Sequence, residues 1–267
     1  MAFDANGDGR ADLYVANYGE PNQLFISQGK KGGFVEQKSG PAVTGSKHSN
    51  GAVVLDANGD KWPDLYVVNN GQPNQLLINQ KNGSFVEQQG GPAVSGSKAS
   101  KGAVALNGDG ALYVVNDRES NQLLLNDKKR GFVEPKSGPA VTGSKYSQDV
   151  VVLHANGDTA PDLYIVNDGQ PNQLYLNDKK GGFVEQKIGP AVTGNSYSLG
   201  VVAVDVSGDG RSDLYVVNRG QPNQLFINQG KMKPPFFEEQ MSGPAVSGSE
   251  DSYGAVAFFC NADGAQE

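Results

Sequence analysis

The stretch GAVVLDANGDKWPDLYVVNNGQPNQLLINQKNGSFVEQ, Gly51–Gln88, decides the fold. It opens on a β-branched apolar run, Gly51–Leu55, crosses a polar loop, Asp56–Asp64, and turns apolar again at Leu65–Asn69. A turn at Asn70–Pro73 leads to Gln75–Asn79, and a glycine-containing turn leads to Ser84–Gln88. Runs of this length, rich in Val, Leu, Tyr and Phe and bounded by Gly, Pro, Asn and Asp, read as short strands. No window of eleven or more residues keeps a helical period, so the unit reads as four strands joined by turns.

Working outward, the unit recurs. PNQL stands at Pro21–Leu24, Pro73–Leu76, Pro171–Leu174 and Pro222–Leu225, with SNQL at Ser120–Leu123. GPAV followed by Thr or Ser and Gly begins at Gly40, Gly91, Gly138, Gly189 and Gly243, and FVEQ or a near copy begins at Phe34, Phe85, Phe132, Phe183 and Phe237. Tyr14, Tyr66, Tyr113, Tyr164 and Tyr215 are spaced by 52, 47, 51 and 51 residues. Four strands at a period near 50 are the signature of propeller blades. The expectation is an all-β chain forming a five-bladed β-propeller of four-stranded antiparallel blades, one domain over 1–267, with repeats at 1–50, 51–101, 102–148, 149–199 and 200–253. Tyr253–Phe259 copies the first strand of a unit, while Met1–Phe3 supplies only the end of one. Residues 254–259 are therefore expected to complete the first blade and close the ring, leaving no open edge.

The composition narrows the function. A formal net charge of −7, with no Lys/Arg run, argues against nucleic acid. No apolar stretch approaches the roughly 18 residues of a membrane span, so no membrane insertion is expected. Cys260 is the single cysteine, which rules out an intrachain disulfide. There is no G-x-S-x-G, no H-E-x-x-H and no Cys–His partnership, and only two histidines, so the chain is expected not to be an enzyme.

The chemistry lies in the loop after the first strand. It reads DANGDGRAD at Asp4–Asp12, DANGDKWPD at Asp56–Asp64, HANGDTAPD at His154–Asp162 and DVSGDGRSD at Asp205–Asp213. Side-chain oxygens at positions 1, 3, 5 and 9, with the carbonyl at 7, suit a hard cation of Ca2+ size, which takes six to eight oxygens. The opening D-x-N-x-D-G also fits an EF-hand, but position 12 is Val15 instead of Glu, and a strand follows where a helix is needed. Asx-rich turns also form without metal, because Asn and Asp bond their own backbone. Three Asp within nine residues would repel one another if left unneutralised, which favours the metal. In the third copy, Asn107–Leu112, the loop is shortened and its closing Asp is gone.

At these loops, and in the DLYVAN, PNQLF and GGF strings that follow, the chain resembles the FG-GAP/VCBS repeats that also build the integrin α-subunit propeller. It looks especially like the VCBS repeats of ASPIC/cartilage-acidic-protein-type proteins. The resemblance implies a calcium site between two strands of a blade. It falls on Asp4, Asn6, Asp8 and Asp12 with the Arg10 carbonyl, and on Asp56, Asn58, Asp60 and Asp64 with that of Trp62. It falls equally on Asp205, Ser207, Asp209 and Asp213 with that of Arg211. In the fourth loop Asn156, Asp158 and Asp162 remain, His154 being a poor Ca2+ ligand. Three filled sites would offset most of the −7 charge.

The function expected is a calcium-stabilised, non-catalytic module that binds carbohydrate or a protein partner, lectin-like or adhesive. It would be secreted or extracellular, where weak calcium sites fill. The alternative is a scaffold subunit of a larger assembly, with the insertion Lys231–Pro235 as its most distinctive patch. The PNQL and GPAV strings read as a copied turn and linker in preference to ligand-binding elements. For Asn17, Asn69, Asn116, Asn167 and Asn218, bonds between repeats are weighed against ligand contact. Trp62 is expected to pack on the loop rim.

Overall fold

The computed structural model of the protein describes residues 1–30, 32–106, 110–127, 131–248 and 251–257. Asn107–Asp109 of the shortened loop, and Phe258 and Phe259 of the expected closing strand, lie outside them. The chain divides into two compact units, Met1–Lys136 and Ser137–Glu267. The first holds repeats 1 to 3 and the second repeats 4 and 5.

Each repeat is an antiparallel four-stranded meander. In repeat 2 the strands are Ser46–Leu55, Asp64–Asn69, Gln75–Asn79 and Phe85–Glu87, paired in order. Repeat 1 uses Ala2–Phe3, Asp12–Val15, Gln23–Ser27 and Phe34–Gln37, and repeat 3 uses Ser100–Ala105, Leu112–Glu119, Gln122–Asn126 and Phe132–Val133. In the second unit repeat 4 runs Lys145–Leu153, Asp162–Asn167, Gln173–Asn177, Phe183–Gln186, and repeat 5 runs Ser198–Val204, Asp213–Asn218, Gln224–Asn228, Phe237–Gln240. Among the described residues helix is confined to three short 3-10 turns, all on the PAV of the linker.

The second strand explains why the repeats must stack. In LYVVN of repeat 2, Leu65 and Val67 turn to repeat 1, joining Tyr14, Leu24, Ala42 and Val43, while Tyr66 and Val68 turn to repeat 3, joining Leu112, Val114 and Leu124. A strand buried on both faces reads as a continuous apolar run, and a lone repeat would leave one face in water. Tyr164 and Val166 of repeat 4 meet Leu214, Val216 and Phe226 of repeat 5 in the same way. The tyrosine hydroxyls donate to the linker carbonyls: Tyr14 to Ala42, Tyr66 to Ala93, Tyr164 to Ala191 and Tyr215 to Ala245, at 2.6–3.1 Å.

Polar side chains stitch the same junctions. A bulge falls in the first strand between Ser49 and Gly51, Ser100 and Gly102, Ser147 and Asp149, and Ser198 and Gly200. The serine donates to the Asn that ends the second strand of its own repeat, Ser49 to Asn69 at 2.8 Å and Ser198 to Asn218 at 2.9 Å. It accepts from the PNQ asparagine of the preceding repeat: Asn22 to Ser49, Asn74 to Ser100, Asn172 to Ser198. Asn74 also accepts the Asn69 amide and donates to the Tyr66 hydroxyl, so its amide is spent on structure. The Gln of PNQ donates to the Glu of the fourth strand, as in Gln23–Glu36 and Gln224–Glu239. PNQL is thus a turn and a clamp between repeats.

At the N-terminus Ala2–Phe3 lies beside Asp12–Val15, pairing Ala2 with Leu13 and Phe3 with Asp12. Residues 251–257 are assigned no strand and lie on repeat 5, where Asn223 donates to Ser252 and the Ser252 amide donates to the Asn218 carbonyl, both at 3.1 Å. Ser252 thus repeats two bonds of Ser49, which accepts from Asn22 and donates its amide to the Asn17 carbonyl.

Cutting this clamp should cost stability where it is buried. Asn74→Ala orphans the buried Asn69 amide and removes the donor to the Tyr66 and Ser100 hydroxyls, and is expected to cost about 1–3 kcal/mol in denaturant unfolding. Asn223→Ala, whose partners Tyr215 and Ser252 are only half-buried, should cost clearly less; equal losses would contradict the assignment.

Candidate metal centre

Each loop is wound on its own oxygens. Asp4 takes the amides of Gly7 and Asp8 on Oδ1 and that of Gly9 on Oδ2, at 2.7–3.2 Å. Asn6 takes the Asp8 amide and Asp8 the Arg10 amide. Asp56, Asn58 and Asp60 repeat these bonds, with Lys61 donating to Asp56 and Trp62 to Asp60. Asp205 and Asp209 do so in repeat 5, where the Ser207 hydroxyl also donates to Asp205. Left-handed glycines at 7, 59 and 208 (φ 77°, 80° and 74°) permit the winding. In repeat 4, Asn156 and Asp158 keep their bonds, but His154 offers no carboxylate to gather the amides at position 1.

The ninth position behaves differently. Asp12, Asp64, Asp162 and Asp213 are fully buried. Oδ2 of Asp64 takes the Ala57 amide and Oδ1 takes that of Asn79, tying the loop to the third strand at 2.9 and 2.8 Å. Asp12 holds Ala5 and Ser27, Asp162 holds Ala155 and Asn177, and Asp213 holds Val206, Ser207 and Asn228. These carboxylates are structural clamps first; a cation would use lone pairs the amides leave. In repeat 3, where this Asp is missing, the shortened loop is closed by the Leu106 amide on the Ala111 carbonyl.

A cation of the chain already faces position 5. Arg10 pairs with Asp8, and Arg211 with Asp209. Where position 7 is Trp62 or Ala160, a lysine after the third strand takes over: Lys81 reaches Asp60 at 3.2 Å and Lys179 reaches Asp158 at 3.1 Å. Lys81 and Lys179 sit at left-handed φ (67° and 58°), where repeats 1 and 5 place Gly29 and Gly230 under the arginine. Such a backbone costs a non-glycine residue about 1–2 kcal/mol, offset here by amide bonds to Asn79 and Asn177. The exchange of Arg-plus-Gly for Lys is visible among the chain's own copies, and single-loop reading misses it. Trp62 lies over Gly7, as its place on the rim implies: a Cβ at Gly7 would stand 2.4 Å from the indole.

The donor set suits a hard cation by type: carboxylate, amide or hydroxyl, carboxylate, at alternating positions. Among the described residues, however, no three His, Cys, Asp or Glu side chains converge closely enough to hold a metal, because the oxygens are turned onto amides and onto Arg10, Lys81 or Arg211. No buried side-chain nitrogen or oxygen there lacks a partner either. The electrostatics divide along the same line. Amide bonds hold Asp4 and Asp205 below the ordinary carboxylate value against a burial effect of opposite sign. Burial outweighs the amides at Asp64, pushed up to about 6, and raises Asp162 and Asp213.

Tandem four-stranded repeats with an Asp-rich loop after the first strand in four of the five define a class of all-β repeat protein. The FG-GAP-like repeat profile matches residues 4–67, 56–115 and 154–216, each match beginning on position 1 of a loop, and the chain belongs to that family. No curated protein matches the chain. Among solved structures 103 chains match, including an auxiliary nutrient binding protein from Bacteroides thetaiotaomicron VPI-5482, at 13% identity and a TM-score of 0.52. That match covers 84% of this chain and 54% of the other, so this chain spans about half its length and the likeness is one of fold.

The raised carboxyls fix a sign. A carboxyl whose folded value lies above its unfolded one opposes folding when ionised, and that opposition fades as pH falls through the folded value. Metal-free protein should therefore gain about 1 kcal/mol from Asp64 between pH 7 and pH 5, out of about 3 kcal/mol in full below pH 4. A melting temperature that falls across that interval would contradict the burial argument.

Proposed function

We propose that the chain is a non-catalytic binding module whose five repeats act as propeller blades, loaded with Ca2+ in the loops of repeats 1, 2 and 5. The observation that carries the reading is the thrice-repeated cradle, in which backbone amides preset the oxygens of positions 1 and 5, and in repeats 1 and 2 that of position 3 as well. Asp4, Asn6, Asp8 and Asp12 with the Arg10 carbonyl would hold the ion in repeat 1, and Asp56, Asn58, Asp60 and Asp64 with that of Trp62 in repeat 2. Asp205, Ser207, Asp209 and Asp213 with that of Arg211 would serve repeat 5. Asn156, Asp158 and Asp162 form a poorer fourth set. The ion supplies charge neutralisation and cross-links the loop; the chain's part is to preset the oxygens and to release Arg10, Lys81 or Arg211 from position 5. Sites of extracellular type bind at about 10⁻⁴–10⁻³ M, and on that ground we place the protein outside the cell.

The ligand is carbohydrate or a protein segment rich in hydroxyl and amide groups. A groove of about 590 Å³ in repeat 1 is lined by Tyr18, Glu20, Glu36, Gln37 and Lys38, and one of about 370 Å³ occupies the corresponding place in repeat 5, beside Glu239, Gln240 and Met241. Tyr18 stacks on His48 with ring centroids 4.3 Å apart and stays 60% exposed, offering an aromatic face beside carboxylates and amides. The similar structure is that of an auxiliary nutrient binding protein, which supports a ligand-holding role. A scaffold role is the second reading, favoured by Met232 and Met241, which are 87% and 81% exposed on repeat 5.

At a hundredfold excess over Kd each site should stabilise the fold by about 2.7 kcal/mol. EDTA should lower the melting temperature, calcium should restore it, and magnesium should do so poorly. Asp8→Ala and Asp60→Ala should each remove part of the chelator-sensitive shift, and Asp158→Ala little. An unchanged melting curve would remove the metal from the account. On a glycan array, binding that is lost with Tyr18→Ala supports the carbohydrate reading, and an array blank with and without calcium turns the search to protein partners.

A further inference from the structure

The fourth strand of every repeat carries a glutamate at one register position: Glu36, Glu87, Glu134, Glu185 and Glu239. In four of them Oε1 takes the side-chain amide of the same repeat's NQL glutamine, Gln23 to Glu36, Gln122 to Glu134, Gln173 to Glu185 and Gln224 to Glu239, at 3.0–3.1 Å. The other oxygen is met by a lysine two residues on. Lys38 pairs with Oε2 of Glu36, Lys136 with that of Glu134, and Lys187 with that of Glu185. Repeat 2 has Gln89 at the lysine position, and its cation comes from the linker before it, with Lys47 3.9 Å from Glu87.

Repeat 5 has neither source. Met241 stands at the position of Lys38, and Ser196 at that of Lys47. Glu239 keeps its bond from Gln224, but among the described residues no cation pairs with it and nothing donates to its Oε2. The carboxylate faces the repeat 5 groove of about 370 Å³, whose lining includes both exchanged positions, Ser196 and Met241, together with Pro222 and Val246. All five glutamates are half-buried alike, including Glu87, whose repeat has a neighbour on each side within its own unit. Access to this carboxylate is therefore a property of the repeat and not of its place in the series.

Resting on the reading of the grooves as ligand sites, we propose that the groove of repeat 5 takes a lysine side chain of a partner protein. Its ammonium bonds Oε2 of Glu239, and its methylene stem lies along Met241 and Val246. The chain's other four repeats show that a lysine is what this glutamate takes; the fifth leaves that place to be filled from outside. Ammonium–carboxylate hydrogen bonds are among the stronger ones, and a lysine stem covers apolar surface while its head stays polar. The net charge of −7 draws basic segments to the chain. Repeat 1 is the contrast: its groove is larger, but Lys38 already occupies Glu36, which leaves it to uncharged ligands.

The test reads methionine methyl groups by NMR. The chain has three, Met1, Met232 and Met241, and of these Met241 lines the groove. Nα-acetyl-lysine amide, titrated to about 50 mM and so past a millimolar Kd, should shift the Met241 signal saturably and leave that of Met232 in place. The uncharged Nε-acetylated analogue should not shift it, and glucosamine, an ammonium carried on a sugar, should do so more weakly. Glu239→Gln, which keeps an acceptor for Gln224, should abolish the shift. Lys38→Met strips Glu36 of its cation and should add a fourth methyl signal that also moves. A Met241 signal that ignores the lysine probe, or that answers the uncharged analogue or glucosamine equally well, overturns the proposal. So does a fourth signal that stays still while Met241 moves. A groove that answers the uncharged analogue or glucosamine keeps its ligand-holding role and loses only the lysine; one that answers no probe loses both.

Discussion

The structure hangs on a buried carboxylate. In four of the five repeats the last Asp of the loop is fully buried and takes two or more backbone amides, one set from the loop and one from the third strand. An ionised group in that position is costly unless bonded, so the loop cannot drift without stranding charge. The same bonds fix where the second strand begins, and with it which of Leu65, Tyr66 and Val67 faces which neighbour. Site and core are thus set by one residue. Repeat 3, which lacks it, compensates by shortening the loop to a direct backbone bond.

From that anchor the junctions follow. The second strand is apolar on both faces, so it requires a neighbour on each side, and the Asn–Ser–Asn contacts set the stagger between them. Apolar contact alone would let two flat sheets slide, and three directed hydrogen bonds at the end of the strand do not. In repeats 2, 3 and 5 one bulge aims the serine at both asparagines. In repeat 4 the bulge carries Asp149 where the other repeats have glycine, and its carboxylate takes the Val201 amide of repeat 5. Burial pushes that carboxyl above its ordinary value.

Much of this is legible in the chain because the chain writes it five times. Repetition of LYV, PNQL and FVEQ gives the repeat length and strand count, and DxNxDGxxD gives the loop with its glycines. The structure adds what depends on contact across distance. That Asp64 is a clamp follows from its burial, which no spacing reveals. Lys81 and Lys179 serve Asp60 and Asp158 from some twenty residues away, and only comparing their columns with Gly29 and Gly230 exposes the exchange. The segment from Tyr253 copies a first strand in pattern, but only contacts show that Ser252 before it takes the clamp position, held by Asn223 and Asn218 of repeat 5.

To take the metal proposed for it, a loop preset by its own amides would have to release the cation that faces position 5 and turn oxygens now spent on amides toward the ion. The measurement that bears most directly on the account is the number of calcium ions carried by one chain, counted by native mass spectrometry at millimolar calcium. Three ions, in the loops of repeats 1, 2 and 5, is the result expected. A chain that carries none would contradict it, leaving the Asp loops as purely structural turns.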